Sequence, residues 1–437
     1  MKRTAIILLQ VFGIILYQSS YAQQTPPAIE WHKSLGGSYD DEATSIQQTR
    51  DSGYIVAGWS KSANGNVTVN HGKGDYWIVK LNHIGAMDWQ RSLGGSEFEK
   101  AYSIRQTRDN GYIVVGWSAS NDGDVTGLYD TNNYANCWIV KLNDTGLVQW
   151  QKSFRGGNGS DSRSIQQTRD GGYIVAGWYY SNGSILNPDY WIVKINDTGA
   201  IEWQRFLGGS DGDCATSIQQ TKDGGYIVAG WSESTDGDVM GNHGSYDVWV
   251  VKLNDTGTIQ WQRPLGGSGH DVSNCIQQTL DGGYIVAGYS RSKDGDLTEN
   301  PAISYLGDFW ILKLNDSGAI QWQRLLGGSK YEHAYSIEQT DDGGYIVAGE
   351  STSTADEIAG NHGKCDAWIV KLNATGSIVW ERLLGGSKDD EACSIQQTID
   401  GGYVVVGISK SNDGDVTGNH GNDDYWIIKL APEIQSK

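Results

Sequence analysis

Seven acidic side chains recur at equivalent places in the sequence, and carboxylates repeated in this way could bind a cation or a cationic group. Each lies three residues after a Gly-Gly-Ser or Gly-Gly-Asn turn. If the seven surrounded one axis, they would raise one another's pKa values or recruit a cation. The alternative is that each carboxylate accepts hydrogen bonds from its own turn and fixes the local geometry. The seven residues are Asp41, Glu99, Asp161, Asp213, Asp271, Glu332 and Asp390.

A second set of polar residues lies two positions before a tryptophan. Short polar side chains at such places commonly cap the entry to a strand, which is how we interpret them. The set comprises Asp75, Asn136, Asp189, Asp247, Asp308, Asp366 and Asp424.

Four loops contain Asp-Gly-Asp, in which oxygen ligands two residues apart flank a glycine as in many calcium loops. The later bidentate glutamate of an EF-hand loop is missing from all four. Calcium is therefore the one cofactor that the sequence suggests, with a plain Asp-Gly turn as the alternative. The residues are Asp122, Asp124, Asp236, Asp238, Asp294, Asp296, Asp413 and Asp415. We interpret the histidines of the nearby Asn-His-Gly segments as turn residues, because their loops belong to different repeats.

An aromatic residue follows the Tyr-Ile-Val-Ala-Gly run, or Tyr-Ile-Val-Val-Gly in the second repeat, in the first five repeats. It shares strand parity with apolar neighbours, which favours packing between repeats, and the alternative is a one-sided platform on which sugars stack. The aromatic residues are Trp59, Trp117, Trp178, Trp231 and Tyr289, and Glu350 and Ile408 replace them in the last two repeats.

These residues are carried by a repeat whose clearest copy is residues 217–263, SIQQTKDGGYIVAGWS, a polar loop and DVWVVKLNDTGTIQWQR. Its last tryptophan recurs about every 60 residues, a period that exceeds those of helical solenoids and suits a four-stranded propeller blade. The recurring residues are Trp31, Trp89, Trp150, Trp203, Trp261, Trp322 and Trp380. The sequence therefore predicts an all-β, seven-bladed β-propeller.

Each repeat contains two tight hairpin turns, Asp-Gly-Gly and Asn-Asp-Thr-Gly, between β-rich runs. We label the four strands A to D in chain order. The tight A–B and C–D turns must share one rim, so the long B–C loops and the D–A connections share the other. Because loop length varies only on that second rim, it is the predicted binding face.

The seventh repeat ends without a strand D. Residues 29–33, Ile-Glu-Trp-His-Lys, match the missing strand and should pair with residues 425–430 to close the ring and remove its edges. We expect the tryptophans to be core and the lysine of each strand C to extend to the outer edge of its blade. The predicted organisation is a signal peptide at 1–22, a leader at 23–28, the propeller at 29–431 and a short tail at 432–437.

The composition of the chain limits the classes of partner that we expect it to bind. A net charge of −19 disfavours nucleic acid and anionic membranes. The first 22 residues have two basic residues, an apolar run and small residues at a cleavage point, which predicts secretion or export to the periplasm or cell surface. No later segment is apolar for long enough to span a membrane. The five cysteines are odd in number and show no metal spacing or disulfide framework.

The DGGYIVAG, DYWIVKLN, NDTGxIxWQ and LGGS motifs over residues 29–430 resemble those of secreted bacterial β-propeller repeat proteins. That resemblance implies the architecture and no particular activity. We expect a monomeric binding module for a glycan or protein, with its ligand at the channel mouth of the long-loop face and no residue assigned a catalytic role. The alternatives are a carbohydrate-active hydrolase or lyase using carboxylates of that face, and a structural surface protein.

Overall fold

The computed structural model describes residues 24–127, 135–154, 159–180, 187–298, 306–354, 358 and 360–433. The predicted signal peptide lies outside these residues. The described residues form seven four-stranded antiparallel sheets and contain no helix that could cross a membrane.

The strands follow the predicted order within each repeat. Strand A is β2 (Asp41–Gln48), β6 (Glu99–Gln106), β10 (Ser160–Gln167), β14 (Asp213–Gln220), β18 (Asp271–Gln278), β22 (Glu332–Gln339) and β26 (Asp390–Gln397). Strand B is β3 (Tyr54–Ser60), β7 (Tyr112–Ser118), β11 (Tyr173–Tyr180), β15 (Tyr226–Ser232), β19 (Tyr284–Ser290), β23 (Tyr345–Ser351) and β27 (Tyr403–Ser409). Strand C is β4 (Asp75–Leu81), β8 (Asn136–Leu142), β12 (Pro188–Ile195), β16 (Asp247–Leu253), β20 (Asp308–Leu314), β24 (Asp366–Leu372) and β28 (Asp424–Leu430). Strand D is β5 (Met87–Leu93), β9 (Val148–Phe154), β13 (Ile201–Leu207), β17 (Ile259–Leu265), β21 (Ile320–Leu326), β25 (Ile378–Leu384) and, for the seventh blade, β1 (Ile29–Leu35).

The ring closes as the sequence predicts. β1 pairs antiparallel with β28, and this last sheet has the order β1, β28, β27, β26. The strands A of neighbouring blades contact one another around the central channel, so strand A is innermost. The structure confirms a seven-bladed propeller whose first strand completes the last blade.

The core lies between blades. Each hydrophobic cluster joins strands B and C of one blade to the next blade, as where Tyr76 packs against Trp138. The Tyr76 hydroxyl also donates a hydrogen bond to the Trp138 carbonyl at 3.0 Å. Tyr190 and Tyr425 make the same contact with Trp249 and Trp77. The strand C tryptophans are therefore buried core, whereas six of the seven strand D tryptophans are only half-buried.

The expectation that the strand C lysines extend to the outer edge of each blade is wrong, because these lysines are buried. Lys80 is 3% exposed, and its Nζ donates to the Leu81 carbonyl and lies 2.9 Å from the Asp51 carboxylate in the A–B turn. Burial alone would raise the pKa of Asp51, but hydrogen bonds from Thr49, Lys80 and Gly53 outweigh it and lower the pKa to about 2. The lysine thus holds two turns together from inside the blade, because a buried ammonium needs a carboxylate and carbonyls around it.

The closing strand gives a first testable prediction. Deleting residues 24–35 removes β1, exposes the edge of β28 and uncovers apolar surface around Trp31 and Leu35. Burial of two such side chains contributes at least about 3 kcal/mol, so we expect a clearly lower melting temperature. A chain lacking only residues 1–23 is the control and should melt like the full chain. Equal melting temperatures of the two truncated chains would contradict closure by β1.

Candidate functional site

The first acidic set lies inside the turns that lead into strand A. The Asp41 side chain is fully buried, and its carboxylate accepts hydrogen bonds from Gly37 N at 2.7 Å, from Ser62 Oγ at 2.9 Å and from Ser60 Oγ. The equivalent glycine N–H also donates to Glu99, Asp213, Asp271, Glu332 and Asp390. The carboxylates are thus hydrogen-bonded within their own blades, which is the scaffold alternative considered above.

Burial raises the pKa of several of these carboxyl groups. It is the largest cause of a raised pKa at Asp41 and Glu99, and hydrogen bonds from serines and glycines only partly offset it. At Asp213 the same balance raises the pKa to about 6.

Asp161 does not belong to this set. Blade 3 has one residue fewer between its turn and strand A, so Ser160 takes the place of Asp41, and Asp161 takes that of Glu42. Asp161 pairs across the sheet with Trp178, and its Oδ2 lies 3.3 Å from Arg163 Nε. Counting from the turn instead of from the strand placed this residue one register off, on the other face of the sheet.

The two acidic sets meet at the borders between blades. A Cβ atom built on Gly36 would lie 2.6 Å from Asp41 Oδ2 and 2.6 Å from Asp424 Oδ1. Gly94 and Gly266 lie in the same way between carboxylates of neighbouring blades. The first glycine of the Gly-Gly turn is therefore required, because no side chain fits between the two acids.

The strand C aspartates also hold the long loops. His71 donates its backbone N–H to Asp75 Oδ2, and its Nδ1 lies 2.6 Å from the same oxygen. His243, His362 and His420 repeat this contact with Asp247, Asp366 and Asp424. The Asn-His-Gly histidines therefore stabilise the turns by hydrogen bonding to these aspartates, in line with their interpretation as turn residues.

The Asp-Gly-Asp loops clasp the turn before strand A of the same blade. Asp122 Oδ1 accepts Ser96 N at 2.8 Å, and Asp124 Oδ2 accepts Gly94 N at 3.2 Å. The same contacts are made by Asp236, Asp238, Asp294, Asp296, Asp413 and Asp415. Within the described ranges no three His, Cys, Asp or Glu side chains are grouped as metal ligands. Calcium binding by these loops stays a prediction.

The surface that differs from blade to blade lies beside this scaffold. The second residue of each strand A pairs with the sixth residue of the adjacent strand B, near the long-loop end of the channel. We call these seven cross-strand pairs the mouth cluster. They are Glu42–Trp59, Lys100–Trp117, Asp161–Trp178, Cys214–Trp231, Val272–Tyr289, His333–Glu350 and Glu391–Ile408. No two of the seven pairs are alike, although the flanking strands are almost identical.

One side of the mouth cluster combines cations with aromatic rings. Glu42 accepts hydrogen bonds from Trp59 Nε1 and from Lys100 Nζ of the next blade, both at 2.8 Å. The Arg163 guanidinium lies 3.8 Å from the Tyr102 ring centre and 4.6 Å from that of Trp178. Cations over indole and phenol faces are stabilised by the ring quadrupole, so this side presents ordered aromatic surface.

The opposite side holds acids and a histidine. Glu350 accepts hydrogen bonds from the Tyr335 hydroxyl at 2.7 Å and from the Cys365 thiol at 2.9 Å. Burial, followed by the charge of Glu350, raises the pKa of Glu391 to about 7. Burial lowers the pKa of His333 to about 3, so its ring is neutral, between the Tyr331 hydroxyl and Asn274.

Sequence reasoning named the five aromatic strand B members of this cluster, favouring packing between blades with stacking as the alternative, but missed their strand A partners. The available signal was variation. Strand A begins DEATS, EKAYS, SDSRS, DCATS, DVSNC, EHAYS and DEACS, so its second and fourth positions change while the others are nearly constant. In a ring of similar blades, positions that vary are free of the scaffold's requirements and can contact a ligand.

Comparison with known proteins adds little beyond the fold. No family model matches the chain. A 200-residue stretch is 25% identical to "Regulatory protein FlaEY" of Caulobacter vibrioides, over 41% of this chain and 20% of that protein, so the chain spans only a fifth of that relative. The Neurospora crassa Pan2 WD40 domain has a TM-score of 0.49 at 11% identity, covering 92% of this chain and 97% of its own. Sqt1 from Chaetomium thermophilum has a TM-score of 0.45 at 10% sequence identity, and the match covers 92% of this chain and 100% of Sqt1. These likenesses concern the fold alone.

Asp213 provides a test of the scaffold role. Its folded pKa of about 6 exceeds the ordinary value near 4, so the folded state binds this proton more tightly than the unfolded chain. Its contribution to stability is therefore greatest below pH 4 and is lost as the pH rises through 6. Asp213→Asn keeps an acceptor for Gly209 N and Ser234 Oγ and removes the charge.

We expect the wild-type free energy of unfolding to fall, relative to that of Asp213→Asn, by at most about 3 kcal/mol between pH 4 and pH 6. Urea denaturation at a series of pH values measures this difference. Asp255→Asn, in an exposed turn of the same blade, is the control and should follow the wild type. Parallel curves for Asp213→Asn and wild type would contradict the assignment.

Proposed function

We propose that this protein is a secreted binding module of the bacterial β-propeller repeat type, whose ligand docks on the mouth cluster of the long-loop face. The observation that carries the proposal is the contrast between seven unlike pairs at the mouth and a nearly invariant scaffold. A scaffold needs the same residue in every blade, whereas a ligand without sevenfold symmetry needs different residues. The propeller fold itself supports a binding or interaction role in general terms.

The chemistry of the mouth cluster favours a polar ligand with flat apolar faces, and a glycan fits that description best. Trp117, Trp178 and Trp231 of three consecutive blades are half-buried, which leaves ring surface for stacking. Lys100 and Arg163 lie beside them and Glu391 lies on the opposite side of the mouth, so charges of both signs are available to hydrogen-bond hydroxyl groups. A protein partner would use the same aromatic and arginine anchors, and is the other outcome of the test.

The acidic surface limits the choice of ligand. At a net charge of −19, nucleic acids and other polyanions are repelled at long range. Neutral glycans do not experience that repulsion.

A glycan array probed with the purified protein, in calcium and again in EDTA, tests the proposal directly. We expect binding to a subset of neutral glycans, and a loss of tenfold or more in affinity for Trp231→Ala, because truncating a stacked ring removes at least about 1.4 kcal/mol. Leu280→Ala, at an exposed turn on the opposite rim, is the matched control and should bind normally. Glycan binding that survives Trp231→Ala and Trp117→Ala unchanged would place the ligand elsewhere. Binding lost in EDTA would support the calcium prediction.

A second candidate, hydrolysis of a glycosidic bond, rests on Glu391. A carboxyl group with its pKa raised to about 7 beside a hydrogen-bonded Glu350 resembles the acid and base pairs of glycosidases.

The hydrolysis candidate predicts release of reducing sugar from an array-positive glycan, and a loss of at least about a hundredfold in rate for Glu391→Gln, as for removal of a general acid. Asp255→Asn, in an exposed turn on the opposite rim, is the control and should keep the wild-type rate. If the wild type binds the glycan without turnover, the binding function stands and the hydrolysis candidate is wrong.

A further inference from the structure

The central channel contains a second place where the sevenfold pattern is broken, away from the mouth cluster. The seventh residue of strand A is glutamine in five blades, Arg105 in blade 2 and Glu338 in blade 6. Together with the preceding serine and isoleucine positions, this ring lines a partly enclosed cavity of about 210 Å³. That volume holds several water molecules or one small organic molecule.

The glutamines are oriented by the neighbouring blade. Gln47 Oε1 accepts a hydrogen bond from Gln106 N of the next blade at 2.6 Å, and Gln219 Oε1 accepts one from Gln278 N at 2.6 Å. The contact is repeated by Gln166, Gln277 and Gln396. Among the described residues the Nε2 groups of all five donate no hydrogen bond. The lining therefore offers five amide donors without protein acceptors.

Arg105 breaks this pattern because a guanidinium accepts no hydrogen bond. Its Nη1 donates to the Ile104 carbonyl at 2.8 Å and approaches Ser45 Oγ at 3.3 Å. Nε and Nη2 have no acceptor among the described residues, and no carboxylate lies within 4.0 Å of the group. Within the described part of the chain, the backbone N–H of Gln167 correspondingly lacks the side-chain acceptor that its six counterparts have.

Glu338 keeps the scaffold contact and adds a charge. Its Oε2 accepts the hydrogen bond from Gln397 N at 2.7 Å, and Oε1 has no donor among the described residues. Burial raises the pKa of Glu338 to about 7, against the weaker opposing effects of Gln397 N and Arg105. Blades 2 and 6 are separated by three blade interfaces one way and four the other, which is the greatest separation a ring of seven allows.

We propose that the channel binds a small linear zwitterion, with its carboxylate at Arg105 and the neighbouring glutamine amides and its ammonium group at Glu338. Arg105 and Glu338 attract each other at a distance, but among the described residues neither has an opposite charge within 4.0 Å. A charge held in a confined site without a contacting counterion costs free energy. A molecule bearing both opposite charges compensates both at once. A carboxylate alone would leave Glu338 without a contacting cation, and an amine alone would leave Arg105 without a contacting anion. The ligand class is that of ω-amino acids, whose two charged groups are separated by a methylene chain.

Calorimetric titration of the full chain with a homologous series tests this proposal, from glycine through β-alanine and 4-aminobutyrate to 6-aminohexanoate. We expect one chain length to bind best, because only one spans Arg105 and Glu338. Acetate and methylamine, which carry single charges, should bind at least tenfold more weakly.

The matched variants are Arg105→Gln and Glu338→Gln, since each introduces the residue that the other five blades carry. Glu338→Gln keeps the acceptor for Gln397 N, and Arg105→Gln supplies one for Gln167 N. Both should fold, and each should weaken binding of the preferred ω-amino acid at least tenfold. Arg105→Gln should also raise the melting temperature, because Gln167 N then gains its acceptor. Trp231→Ala at the mouth should bind the ω-amino acid normally.

Each other outcome overturns the proposal. No binding by any member of the series shows that the channel takes no zwitterion. Acetate binding as tight as that of the best ω-amino acid, retained in Glu338→Gln, shows an anion site. Unchanged binding in both variants places the ligand outside the channel. None of these results bears on glycan recognition at the mouth, so the two proposals succeed or fail separately.

Discussion

Every blade has two apolar faces, and only another blade can bury them. This constraint explains most of the sequence, because each interface requires the same buried strand C tryptophan, and three of the seven add a tyrosine whose hydroxyl reaches the next blade's backbone. It also demands a closed ring, since an open array would leave one apolar face exposed to water at each of its two ends. The seven copies are nearly identical because each must form the same packed interface with its neighbouring blade.

The same constraint governs where charge is tolerated. Carboxylates fully buried at the blade borders stay there because glycine N–H groups and serine hydroxyls surround them, as at Asp41. Lysines buried within the blades are held by turn aspartates, as at Lys80. Charged residues that recur in all copies are thus part of the packing. Charged residues found in only one blade, such as Lys100 and Arg163, are not required by this packing.

The strands, hairpins and closure could be predicted from the sequence because they depend on local patterns that each repeat restates. The tight turns Asp-Gly-Gly and Asn-Asp-Thr-Gly, the tryptophan spacing and the unmatched N-terminal strand were sufficient for the architecture. The candidate site was harder to predict from the sequence. Repeated residues are the easiest to recognise, and in this protein they belong to the scaffold. Asp161 shows a second reason. A single missing residue before its strand moved it to the opposite face, and only the register of the sheet reveals that shift. The buried position of Lys80 depends on a turn of its own blade that no strand pattern encodes.

The pairing of β1 with β28 joins residues 29–35 to residues 424–430, the two ends of the propeller's chain. During synthesis the first strand must wait until almost the entire protein has been made before its partner exists. Six blades can assemble in order from contacts between neighbours in sequence, but the last step carries the largest loop-closure entropy of the fold. Until then the growing ring has an unpaired strand edge that could recruit a strand from another molecule. The pairing that closes the ring therefore also makes completion of folding the step at which the chain is most exposed to mispairing.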